Sequence, residues 1–143
     1  MPILRKIEKE EIPVLYTVAL DRVQKVLDKA GVTGHTGETV LQFAQQGLAQ
    51  LWVTINDEDL RSLFVTDIQA YPHKNVLNIW LMDGDLTDMN QDALEEVEHW
   101  AAMNFQCTAV TALVRPGLVR PLTDLGFHRT QVQVEKPIMR SLN

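Results

Sequence analysis

Residues 76–114 read VLNIWLMDGDLTDMNQDALEEVEHWAAMNFQCTAVTALV, and their periodicity changes twice. In the opening part Leu77, Ile79 and Leu81 alternate with Asn78, Trp80 and Met82. A strand built this way is apolar on both faces and suits the middle of a sheet. The turn 83–88 follows. Beyond it Met89, Ala93, Val97, Trp100 and Ala101 recur at helical spacing, while Asp92, Glu95, Glu96 and Glu98 occupy the other side. Thr87 or Asp88 supplies the N-cap, and the acids suit the positive end of the helix. A second strand is predicted over 109–114. A connection of this length through one helix permits a parallel crossover, so the stretch sets an α/β class with a βαβ unit at its centre.

Working outward, LWVTIN (51–56), LRSLFVTDIQAY (60–71) and 76–83 are rich in β-branched and aromatic residues, with short turns at 56–59 and 72–75. They are expected to form a three-strand antiparallel meander. Upstream, Pro13 suits a first helical turn, and Leu15, Ala19, Val23, Val26, Leu27 and Ala30 recur at helical spacing up to Gly31. Residues 32–37 read as loop. A shorter helix is expected over 38–48, with Val40, Leu41, Phe43 and Ala44 turned inward. Downstream, Arg115, Pro116 and Gly117 turn the chain, 118–125 reads as a short helix, Gly126 stops it, and 130–135 reads as a last strand. Phe127 is expected in the core. One domain over 1–143 follows, with a helical part at 1–50 and a sheet-bearing part at 51–138.

The 45% apolar content closes a single core in 143 residues. Charged residues interrupt the N-terminus through Arg5, Lys6, Glu8, Lys9, Glu10 and Glu11, and no later apolar run approaches a membrane span. The chain is therefore expected to be soluble and not to engage membranes. The formal charge is −6, and the densest basic stretch spaces Arg115, Arg120 and Arg129 apart with apolar and turn residues. Duplex or lipid binding needs clustered cations, so direct nucleic-acid binding is not expected. Cys107, the single cysteine, is read as a small hydrophobe. His35, His73, His99 and His128 lack metal-ligand spacing, so no metal site is expected.

The element order, two helices, a meander, a helix, a strand, a short helix and a strand, resembles that of the GNAT superfamily of N-acyltransferases. More specifically, VTALVRPGLVRPLTDLGFHRTQVQVEKPI (110–138) resembles the closing segment of GNAT-like proteins of tailed bacteriophages. The matching residues are Arg115, Pro116, Gly117, Leu122, Gly126, Phe127, Glu135 and Lys136, with Leu118 in place of an aromatic residue. The fold implied is a GNAT-like mixed sheet with helices on both faces.

That resemblance also implies where chemistry would lie. Active members bind the acetyl-CoA pyrophosphate at the N-terminus of the helix after the central strand, where free backbone N–H groups and glycines admit an anion. Here that position holds Asp83, Gly84, Asp85, Leu86, Thr87 and Asp88, one glycine among three carboxylates. Carboxylates so placed compete for the same N–H groups and repel phosphate. The family's tyrosine acid on the late short helix has no counterpart, since tyrosine occurs only at Tyr16 and Tyr71. Glu58, Asp67, His73 and His128 are the remaining candidate bases.

Three readings follow. The first is a phage-encoded GNAT-fold protein without conventional acetyl-CoA binding, a virion-associated or protein-interaction component with a protein partner. The second is an acyl-CoA-dependent N-acyltransferase acting on a protein or small-molecule amine. The third is a small acidic inhibitor of a host protein. Location is expected to be the host cytoplasm or the virion. A homo-oligomer through an exposed strand edge stays open.

Overall fold

The computed structural model describes residues 3–32, 34–83, 91–114 and 116–139. Five strands lie in chain order across one sheet: β1 (Ile3–Ile7), β2 (Gln50–Asn56), β3 (Asp59–Tyr71), β4 (Lys74–Asp83) and β5 (Cys107–Ala112). The first four pair antiparallel, and β4 pairs parallel with β5. Helices α1 (Ile12–Ala30) and α2 (Gly37–Gln45) cover one face, α3 (Gln91–Phe105) covers the other as the crossover between β4 and β5, and α4 (Val119–Thr123) follows β5.

The alternation in each strand divides the core in two. Leu51 and Val53 of β2, Leu63 and Val65 of β3 and Leu81 of β4 pack against Ala19, Val23 and Leu27 of α1 and Val40, Leu41 and Ala44 of α2. On the other face Trp52, Phe64, Leu77 and Ile79 meet Leu94, Val97 and Ala101 of α3. The buried polar groups there are paired: the Trp52 indole donates to Thr66 Oγ1 (2.9 Å), which donates to Gln50 Oε1 (2.8 Å). Pairing of this kind removes the penalty of leaving a buried donor unsatisfied.

The first two helices are set by their ends. Gly31 closes α1 in the left-handed region (φ 70°), with its N–H on Asp28 O (3.2 Å). Thr36 and Thr39 cap α2 reciprocally. A Cβ at Gly37 would lie 3.1 Å from the Leu20 carbonyl oxygen, so a glycine lets α2 start close against α1.

Four expectations are corrected. Residues 1–50 are not purely helical, because β1 pairs with β2 from Ile3↔Ile55 to Ile7↔Leu51 and lengthens the meander to four strands. Arg5 and Lys6 hide its strand character in the sequence, yet charges are well tolerated on an edge strand. The segment 130–135 forms no strand: every residue from 128 to 139 is exposed, and among the described residues β5 carries no strand on its outer edge. The late helix is shorter than 118–125, a 3-10 turn at Pro116–Leu118 leading into α4. Phe127 is half-buried at the margin of the α3-side core.

Candidate functional site

Strand β4 changes character along its length. From Asn75 to Ile79 it is hydrogen-bonded on both sides, the parallel register ending at Ile79↔Ala112 and the Leu113 N–H reaching Ile79 O at 3.3 Å. Among the described residues, Leu81 to Asp83 pair with β3 alone, and Trp80 has no partner in the register. Among the described residues, the edge that faced β5 is therefore open over the last four residues.

A bulge sits at the point of divergence. Thr66 faces Ile79 and Val65 faces Leu81, leaving Trp80 as the extra residue. In consequence Trp80 and Leu81 both pack on the α1/α2 side, which strict alternation forbids. Half-buried Trp80 meets His35 edge-on (centroids 4.8 Å, 76°), and His35 meets Phe43 of α2 (5.5 Å, 73°). His35 Nδ1 and Thr39 Oγ1 share a long hydrogen bond of 3.4 Å. The loop before α2 is thus tied to the open end of β4.

A polar chain crosses three strands beside the bulge. Asn78 Nδ2 donates to Asp67 Oδ1 (3.0 Å), and Thr111 Oγ1 donates to Asn78 Oδ1 (2.9 Å). Asn78 is buried at 3% exposure, and its neighbours Leu77 and Ile79 point to the α3 side, so it belongs to the face of Trp80. Of the four candidate bases only Asp67 joins this region. Glu58 is exposed in the β2–β3 turn at φ 74°, and His73 and His128 are exposed.

Among 83–88 only Asp83 lies within the described residues. Its carboxylate accepts from Arg22 Nη1 at 3.3 Å, and the same guanidinium donates to Leu60 O (2.8 Å) and Arg61 O (3.1 Å). Both side chains are about one-quarter exposed, which limits the energy of the pair, but the Asp83 charge is locally offset. An open groove of about 690 Å³ runs here, lined by Thr17, Val18, Asp21, Arg22, Lys25 and Asp83. The expectations for Gly84, Asp85, Leu86, Thr87 and Asp88 fall outside the described residues, as does Arg115. Of the closing-turn residues, Pro116 and Gly117 lie in an exposed 3-10 turn and Gly126 adopts φ 98° after α4.

Cys107 starts β5 half-buried, and desolvation pushes its thiol pKa up, which disfavours the thiolate. Among the described residues no group of three or more His, Cys, Asp or Glu side chains could hold a metal ion, and no helix is long and apolar enough to cross a membrane.

Sequence reasoning missed His35, Arg22, Asn78 and Thr111. Their roles depend on partners brought together only by the sheet and by α1, and no local pattern marks them.

Neither a protein-family model nor a curated protein sequence matches the chain. Solved structures do match. An aminoglycoside acetyltransferase, meta-AAC0020, from an uncultured soil metagenomic sample in complex with sisomicin superposes with a TM-score of 0.68 at 9% identity, over 96% of this chain and 97% of that one. A predicted acetyltransferase with acetyl-CoA from Clostridium acetobutylicum gives 0.63 at 14% identity over 96% of each chain. The BH1408 protein from Bacillus halodurans, as a tetramutant, gives 0.67 at 14% identity, over 95% of this chain and 99% of that one. At such identities the likeness speaks of architecture, and it does not bear on a bacteriophage origin. The architecture of this chain, a five-stranded mixed sheet with helices on both faces, is GNAT-like and matches the folds of these solved structures, acetyltransferases among them.

Proposed function

We propose that this chain is an acyl-CoA-dependent N-acyltransferase acting on a primary amine of a small molecule or a protein. The observation that carries the reading is the open edge of Trp80–Asp83, left where β5 ends its pairing at Ile79 in a GNAT-like sheet. A free strand edge presents backbone N–H and C=O groups, and the amides of a pantetheine arm complete such an edge as an added strand does. The crevice beyond the carboxyl ends of parallel strands is the usual ligand position in sheets of this kind.

The remaining groups fit that use. Helix α3, fifteen residues long, follows β4, and the N-terminus of such a helix attracts phosphate. Arg22 offsets Asp83, so the repulsion expected from three carboxylates is reduced at the one nearest the strand. Acyl-CoA brings the acyl group as a thioester. An ammonium acceptor must lose a proton before it attacks, and Asp67, held by Asn78, is the candidate acceptor of that proton.

A GNAT-fold interaction protein that binds no acyl-CoA, in a bacteriophage virion or elsewhere, is the competing reading. It rests on Asp85, Asp88 and the single glycine of 83–88 and on the resemblance of 110–138. Thermal unfolding with millimolar acetyl-CoA separates the two. A ligand at a hundred times its dissociation constant adds about 2.7 kcal/mol to folding and raises the midpoint by several degrees. That rise is expected; an unchanged midpoint contradicts the transferase reading and favours the interaction protein.

A further inference from the structure

The two edges of the sheet are protected differently. β1 ends one side and carries Arg5 and Lys6, charges that discourage pairing with another strand. β5 ends the other side with the sequence CTAVTA, without a charge, and Leu113 just beyond it is 61% exposed. A short, uncharged edge that no described residue pairs is a template for one more strand.

The same chain carries a segment suited to fill it. After Phe127, the last residue packed against the core, residues 128–139 are exposed throughout, and among the described residues they form no strand or helix. Val132 and Val134, at 70% and 89% exposure, alternate with Gln131 and Gln133, the period of a strand with one apolar face. Segment 130–135 matches the six residues of β5 in length. Fully extended, the twelve residues reach up to about 40 Å from Phe127, far enough to lie on another molecule.

We propose that segment 130–135 of one copy adds to the outer edge of β5 in a second copy, and reciprocally, closing a two-fold dimer by exchange of C-terminal arms. Donor and acceptor occur in equal number in each chain, so exchange between two copies leaves neither edge open, whereas a different partner would satisfy only one of the two features. Charge agrees with this choice. The arm carries Arg129 and Lys136 against the single carboxylate Glu135, and α3, which packs beside β5, exposes Glu95, Glu96 and Glu98.

Light scattering on the full chain, from micromolar to submillimolar concentration, tests the proposal together with amide exchange over 107–112. The wild-type chain is expected to be a dimer. The double variant Val132→Lys, Val134→Lys alters only exposed positions and is expected to be a monomer with unchanged circular dichroism and faster exchange over 107–112. A monomeric wild type, as intramolecular pairing or a foreign partner would give, overturns the proposal. So does a double variant that stays dimeric, or one that dissociates with no change in exchange over β5.

Discussion

The two halves of β4 share one strand and one set of residue types, yet they do opposite things. Asn75–Ile79 is bonded to β3 and β5, with Leu77 and Ile79 almost wholly buried under α3. Trp80–Asp83 keeps one neighbour, half-buries Trp80 and ends at a partly exposed ion pair. The first half holds the sheet together. The second, among the described residues, leaves one strand edge without a partner, and the bulge at Trp80 marks that change. On the proposed function, stability and ligand access are divided along a single element, as expected when binding groups sit on a rigid scaffold.

The division is broken most forcefully in the paired half. Leu77→Ala empties a site with no exposure and should destabilise the fold by about 3 kcal/mol, read from denaturant midpoints at constant slope. A loss below about 1 kcal/mol would mean that this half is not the anchor. In the open half Trp80→Ala removes ring contacts to His35 and Phe43 at a half-exposed position, so about 1–1.5 kcal/mol of stability is expected to go. Affinity for acetyl-CoA, measured by calorimetry, should fall by at least about tenfold, about 1.4 kcal/mol. Equal effects of the two substitutions on affinity would erase the distinction between the halves. The smallest effect belongs to Arg22→Ala, which breaks a partly exposed ion pair and two carbonyl contacts and should cost under about 1 kcal/mol. With the Asp83 charge uncovered, acetyl-CoA binding should weaken and become more dependent on salt.

The residue periods that predict β2, β3, β4 and α1 to α3 are strong because each element buries one or both faces, and burial is what writes a period into a sequence. Where burial is absent the signal misleads. β1 escapes notice because an edge strand carries Arg5 and Lys6, and 130–135 reads as a strand because Val132 and Val134 alternate although both stay exposed among the described residues. The same physics hides the site. A bulge at Trp80 depends on the register with β3, and the Arg22 to Asp83 contact joins residues 61 apart in the chain. Asp67 is a candidate base by residue type, but its tie to Asn78 and, through it, to Thr111 exists only across strands. The acidic composition of 83–88 is visible in the sequence; that Asp83 is offset by a cation from α1 is not.

Hydrogen exchange of the backbone amides in Trp80–Asp83, with and without saturating acetyl-CoA, tests the central claim most directly. The expected result is slower exchange over Trp80–Asp83 on adding acetyl-CoA, with β1 unchanged. Unaltered exchange over Trp80–Asp83 would contradict the assignment of the open half of β4 as the acyl-CoA site.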